Sequence, residues 1–284
     1  MSGLQNTIVT AGALGAACAV LSVFVVLRRW AFIGEGIAHA GFGGAGTAWL
    51  LSLLFPTAAW LGREDGIFAV AVFFCMAVAM GIAWITRREQ VRTDTAIGIF
   101  LVTSLAWGFV GYSAYKHLRG GVEPPAWEDY AFGRIGPLSA SEVLASVLVC
   151  GAVVLAVALL GKEIVCYCFD PMMAEVSGVR VALIHYLLLA LVTLTILMGM
   201  RLMGSLLVTA LLVLPGATGL QLSRNLRTVL ISAIAVGVLG AIAGPMVSAK
   251  WRFIREGPAI VLALVAQFVA AYAWASLRRR NLTT

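Results

Sequence analysis

A chain of 284 residues in which 61% are hydrophobic and only 12% charged has too little polar surface to cover a soluble domain of its size. A mean hydropathy of +0.98 places it in lipid. The net charge of +7 forms no basic stripe with interleaved aromatics, so nothing points to nucleic acid, and anionic lipid headgroups are the expected counter-charge.

A membrane span needs about 20 mainly apolar residues, and nine such segments are predicted, near 7–27, 35–55, 66–86, 94–115, 141–161, 182–200, 203–222, 227–247 and 257–277. Their long continuous runs predict helices, since barrel strands alternate over about ten residues. The expected fold is therefore all-α, a polytopic bundle of about nine spans (eight to ten), with residues 1–284 forming a single transmembrane domain. The first run is long, lacks a basic leader and ends at Arg28-Arg29 without a small-residue cleavage site, so it is read as a retained span rather than a signal peptide. If nine spans alternate, Arg28, Arg29, Arg87, Arg88, Arg92, Arg224, Arg227 and the Arg278-Arg279-Arg280 tail all fall on one side. Short cytoplasmic loops carry the Lys/Arg excess, which makes that side the cytoplasm, with Lys250, Arg252 and Arg255 running against the rule.

The second segment opens on Gly34-Glu-Gly-Ile-Ala-His-Ala40. Glu35 and His39 are one helical turn apart and share a face. Ionisable groups in a membrane helix are costly, and those that persist usually face a bundle interior or a polar pathway. A carboxylate beside an imidazole suits a divalent cation or a proton. The spacing alone fits equally well an interfacial Glu35 near Arg28 and Arg29, with His39 packed against a neighbouring helix.

After the fourth segment, an outer connection from Lys116 to about Ala140 holds Gly120-Gly121, Pro124-Pro125, Glu128-Asp129 and Tyr130-Ala-Phe-Gly133, a density of Gly and Pro that breaks a helix. It reads as an interfacial or partner-receiving segment, or as a plain solvated loop. Of the five cysteines, Cys18, Cys75 and Cys150 fall within spans and act as small apolar residues. Cys166 and Cys168 fall in a predicted cytoplasmic loop, with a spacing unlike that of zinc sites. The inner connection at about 163–180 carries Phe169-Asp-Pro-Met-Met-Ala-Glu-Val-Ser-Gly178. Asp170 is a candidate N-cap, Pro171 suits the first helical position and Gly178 a C-terminal stop. A short capped helix here would lie outside the membrane, with Met172, Met173 and Ala174 as an adaptable apolar contact and Glu175 as a rim charge. In the seventh segment, Pro215 deletes a backbone donor and predicts a bend, more readily a static kink than a moving hinge.

These blocks carry a resemblance. In order along most of the chain, the sequence resembles the permease subunit of bacterial ABC importers for zinc, manganese and iron. Val26-Leu-Arg-Arg29 followed by Gly34 to Ala40 is similar to the family's basic stop and its G-D-A-L-S-H-A motif. Thr95-Ala-Ile-Gly98, Phe132-Gly133, Phe169-Asp-Pro171 through Gly178, Leu206 through Thr218 and Gly257-Pro-Ala-Ile-Val261 resemble further family blocks. The chain departs from the motif in having Glu35 for the usual Asp, Ala38 for Ser and Gly43-Gly44 for Pro-Gly.

The resemblance implies that two copies form a central pathway to which Glu35 and His39 contribute, and that an external binding protein delivers the metal. It further implies that ABC ATPase subunits dock on the segment Phe169, Asp170, Pro171, Met172, Met173, Ala174, Glu175 and Gly178. Manganese, zinc or iron would then be cargo rather than a tightly bound cofactor. No Gly-x-x-x-x-Gly-Lys-Ser/Thr string occurs in the chain, so hydrolysis is expected on another polypeptide in the cytoplasmic membrane. The rival reading is a secondary metal- or proton-coupled transporter or channel, which would favour related halves, and no repeat at half length is seen. An intramembrane metalloprotease would need a fuller ligand set than His39, His117 and His185 provide, and no His-Glu-x-x-His is present. His117 and His185 read as interfacial or packing residues.

Overall fold

Long apolar runs bounded by charge and Gly/Pro clusters become long helices in the computed structural model, which describes residues 2–87, 91–127, 140–203, 205–250 and 256–280. In chain order these are α1 (Ser2–Leu27), α2 (Ile33–Leu54), a 3-10 turn (Ala59–Gly62), α3 (Glu64–Arg87), α4 (Thr93–Leu118) and α5 (Ala140–Leu159). There follow α6 (Gly161–Phe169), α7 (Pro171–Val176), α8 (Val181–Met203), α9 (Ser205–Leu222), α10 (Leu226–Lys250) and α11 (Glu256–Arg280). No strand occurs among the described residues. Eight of these helices are long and apolar enough to cross a membrane. The ninth expected span is α9, whose apolar part is Leu207–Leu222. Its 18 residues reach about 27 Å at the helical rise, slightly less than the hydrocarbon core of about 30 Å.

The chain forms two compact units. One comprises residues 1–31, 136–184 and 206–284, and α1 is its centre. Leu14, Ala17, Cys18, Leu21 and Phe24 are fully buried where α1 packs on α5, α6 and α10. Small residues let the backbones approach, as membrane helices require in the absence of a hydrophobic drive between them. A Cβ on Gly237 would sit 2.6 Å from the Ala19 side chain, and one on Gly216 would sit 2.5 Å from the Ser22 carbonyl oxygen. α9 stays helical through Pro215. Beside that proline, Gly216 brings α9 directly onto the α1 backbone. Replacing Gly216 by Ala is expected to cost about 1–3 kcal/mol, because main chain cannot yield as a flexible side chain can. The control is Gly12→Ala, where a Cβ meets nothing within 4 Å. Thermal unfolding of the two variants in one detergent checks the contrast.

The other unit comprises residues 32–135 and 185–205, with α2 at its centre. It packs on α3 and α4. Phe42, Trp49 and Ile67 form a buried cluster onto which Leu105, Tyr112 and Trp127 pack. The Phe42–Trp49 and Tyr112–Trp127 rings meet edge to face at 5.8 and 5.5 Å, contacts worth about 0.5–1.5 kcal/mol each beyond area burial. Elsewhere Ile99, Val102, Phe109, Leu262, Val269 and Trp274 are exposed, which suits helices whose outer solvent is lipid.

Two sequence expectations are corrected. The inner connection after α5 is two helices rather than a loop holding one short helix, because Ile164, Tyr167 and Cys168 fall at helical spacing and are buried together. Cys166 and Cys168 accordingly lie on α6 and not in a loop. Burial pushes the Cys168 thiol up to about 12, which favours its protonated form.

Candidate functional site

Glu35 lies in the first turn of α2, where the helix dipole favours a carboxylate. Its Oε1 is 3.2 Å from Nε2 of His39, one turn on. Ile33, Gly34, Gly36, Ile37, Ala38, Ala40 and Gly41 around them are buried. From residue 33 to residue 50 only Glu35, His39, Thr47 and Leu50 escape full burial. The pair's side chains stay 41% and 34% exposed, so they form an open polar stripe on the otherwise buried first half of α2, whose residues 50–54 open out again. An i,i+4 pair of this kind stabilises a helix by only about 0.2–0.5 kcal/mol. Among the described residues no group of three or more His, Cys, Asp or Glu could hold a metal, so the pair by itself is not a closed metal site.

One departure around this motif, Gly43-Gly44, has a packing cause. A Cβ on Gly43 would lie 2.7 Å from the Ser104 carbonyl, and one on Gly44 would lie 2.5 Å from Cα of Ala71. α2 is pressed between α3 and α4 at this level, and Gly43-Gly44 is what admits both.

The second predicted cluster is brought together at α7. Asp170 Oδ1 accepts a hydrogen bond from Met173 N at 3.0 Å, with Pro171 at the first helical position. At the other end Gly178 adopts φ +84, while Gly178 N and Val179 N donate to Glu175 O and Ala174 O. This is the left-handed stop that glycine favours. Phe169, Met172, Met173 and Val176 are exposed, with Met172 and Val176 at 80% and 85%. Ala174 is fully buried. The exposed apolar face is thus Phe169, Met172, Met173 and Val176, with Ala174 turned inward as an anchor.

Sequence reading missed what α6 does. Arg28, in the sequence a topological marker, a neighbour of Glu35 and part of the basic stop, places its guanidinium 4.4 Å over the Tyr167 ring and 5.9 Å from Trp30. Its Nε is buried without a hydrogen-bond partner among the described residues, a desolvated setting in which a cation–π contact reaches about 2 kcal/mol. Burial pushes the Tyr167 hydroxyl up to about 12 against the pull of Arg28. The only available signal was an Arg followed by a Trp at a helix end. His185, read as a packing residue, is buried, with Nε2 3.3 Å from Thr86 Oγ1 and 3.2 Å from Ala83 O.

The outer connection starts as an ordered strap. Trp49 Nε1 donates to Pro125 O at 3.1 Å, and Glu123 accepts from Lys116 Nζ at 2.7 Å and Tyr112 Oη at 2.6 Å. Phe132-Gly133 and the rest of 128–139 lie outside the described residues. Lys116 first, then Tyr112, holds the Glu123 carboxyl below the usual carboxylate range. A folded pKa below the unfolded one means that the strap's contribution is complete above the ordinary carboxylate pKa and lost as pH falls through the lowered value. Amide protection over 119–127, taken relative to the intrinsic exchange rate at each pH, is expected to fall in that acid window, and at neutral pH in Glu123→Ala.

The model of the ABC 3 transport family matches residues 1–275. The chain is 33% identical, over 94% of its length and 84% of the relative's, to the "Chelated iron transport system membrane protein YfeD" of Yersinia pestis. It is 28% identical, over 96% and 91%, to the "Manganese transport system membrane protein MntC" of Listeria monocytogenes. Among solved structures, "PsaBC from Streptococcus pneumoniae in complex with Fab" matches with TM-score 0.75 and 25% identity, covering 96% of this chain and 91% of that one. The chain belongs to the ABC 3 transport family. It is a multi-pass permease subunit of the cytoplasmic membrane, and ATP hydrolysis resides on a separate subunit.

Proposed function

We propose that this ABC 3 family permease imports a divalent transition metal ion, manganese, iron or zinc, through a pathway that two copies build between them. The observation that carries the reading is the open Glu35–His39 stripe on the otherwise buried first half of α2. A half-exposed carboxylate and imidazole on a membrane helix are poorly served by lipid and well served by a second copy across a polar route. Two ligands per chain become four per dimer, enough to replace part of an ion's hydration while binding weakly enough to release it. Carboxylate and imidazole suit Mn²⁺, Fe²⁺ and Zn²⁺ alike. The names of the manganese and chelated-iron relatives support those metals as cargo class.

An external binding protein delivers the ion at the outer mouth, and paired ABC ATPases engage α7 inside. In this reading Pro215 bends α9, and the close approach at Gly216 keeps the bend static. The deciding experiment is reconstitution of the permease with its ATPase in vesicles and measurement of ATP-dependent manganese, zinc and ferrous iron uptake. Uptake that persists without the ATPase, or follows a proton gradient, would favour a secondary transporter or channel instead.

A further inference from the structure

We propose that Arg28 is a positioning residue for coupling: seated on Tyr167, it fastens α6 to the end of α1, so that a push on α7 is carried into the first membrane helix. The inference rests on the reading of α7 as the ATPase contact and adds how that contact reaches the membrane.

Three observations converge on it. First, α6 and α7 share one residue as their hinge point. Asp170 closes α6 through Asp170 N to Cys166 O at 3.0 Å and opens α7 by capping Met173 N. No free linker lies between the two helices to absorb a displacement. Second, α6 is bound to its surroundings by a buried stripe, Ile164, Tyr167 and Cys168, and α7 by Ala174; α6 packs on α1. At that contact the Arg28 guanidinium lies 4.4 Å over the Tyr167 ring and hydrogen-bonds the Tyr167 side chain, while its Nε has no hydrogen-bond partner among the described residues.

Third, the chain holds Arg28 in place by an unusual turn. Arg29 adopts φ +57, the left-handed conformation that glycine tolerates best. Arg29 N donates to Val26 O at 3.0 Å and Trp30 N to Val25 O at 2.9 Å. Trp30 is buried at 1% exposure. An arginine occupying a glycine-favouring stop, pinned by a buried tryptophan, fixes the direction in which its neighbour Arg28 leaves the helix. A basic residue needed only to mark the cytoplasmic side would require none of this, since any exposed Lys or Arg would do.

The test is made on the permease–ATPase complex in vesicles, with whichever of manganese, zinc or ferrous iron the unaltered complex takes up. ATP hydrolysis and metal uptake are measured in the same preparation. Tyr167→Leu and Arg28→Gln are expected to keep ATPase association and hydrolysis while the metal moved per ATP falls roughly tenfold, the scale of a lost desolvated cation–π contact. Tyr167→Phe, which keeps the ring but removes the hydroxyl that hydrogen-bonds Arg28, is expected to lose clearly less than Tyr167→Leu. The double variant Arg28→Gln/Tyr167→Leu is expected to be no worse than either single change, as for two ends of one contact. An unaltered ratio in Tyr167→Leu, an equal loss in Tyr167→Phe, or additive losses in the double variant would each overturn the proposal. If Arg28→Gln does not insert, the comparison of Tyr167→Leu with Tyr167→Phe decides alone. Failure of the α7 reading shows separately, as ATPase association that survives charges placed on Met172 and Val176.

Discussion

Glu35→Gln and His39→Ala are each expected to lower metal uptake by at least about tenfold while leaving the permease inserted and bound to its ATPase. Changing a mere outer-shell partner of a metal ligand typically costs about 10–100-fold, and a direct ligand on the route is expected to cost no less. Glu35→Gln removes charge at nearly constant shape, and His39→Ala removes the imidazole from a position that is only partly packed, 34% exposed. Neither change opens a cavity in the core, since the buried neighbours Ile33, Ile37, Ala38 and Ala40 are untouched. A fall in uptake at matched membrane expression and matched thermal stability therefore reports the pathway. Glu35→Asp adds a further comparison: it restores the residue usual in the motif and shortens the carboxylate by one methylene, so a changed order of preference among manganese, zinc and ferrous iron is the expected result. Normal accumulation by both Glu35→Gln and His39→Ala would remove the pair from the route.

How much of this was legible in the sequence depends on which forces set each feature. The long helices were, because a span is fixed by local composition: an apolar run of about 20 residues has one way to satisfy its backbone in lipid. The ends of α7 were also legible. Capping by Asp170, Pro171 at the first helical position and the left-handed stop at Gly178 are interactions within a few residues. The Glu35–His39 pair could be found from its spacing, but not its openness, since that depends on which face of α2 is covered by α3 and α4.

α6 was missed for a related reason. Its buried stripe of Ile164, Tyr167 and Cys168 does have helical spacing, yet nine residues beside a span and a Cys-x-Cys pair drew the eye to loop chemistry. Ala174 shows the limit of local reading most clearly. Cap chemistry fixed that α7 is a helix, but only packing decides that Ala174 points inward while Met172 and Val176 point out. Arg28 lay beyond reach because its partner Tyr167 is far along the chain, and no local pattern pairs them.

Charging the exposed face of α7 is expected to have the second large effect. Met172 and Val176, at 80% and 85% exposure, are the most open apolar side chains of a segment outside the spans. Large apolar groups left in water at that density mark a surface awaiting a partner, and methionine adapts its shape to one. The double change Met172→Asp/Val176→Asp keeps Asp170, Pro171 and Gly178, and with them both caps of the helix. It also leaves the buried Ala174 anchor in place, whereas Ala174→Asp would put a charge into a fully buried position and confound lost packing with lost docking. The expected result is loss of ATPase association by roughly two orders of magnitude, since a hot-spot change costs about 2 kcal/mol or more and here two side chains are altered together. Detergent-purified permease of the double variant is expected to unfold at the unaltered temperature, because both side chains face outward. Co-purification of the ATPase with the double variant at the normal ratio, or transport at the normal rate, would show that α7 is a surface helix without this partner.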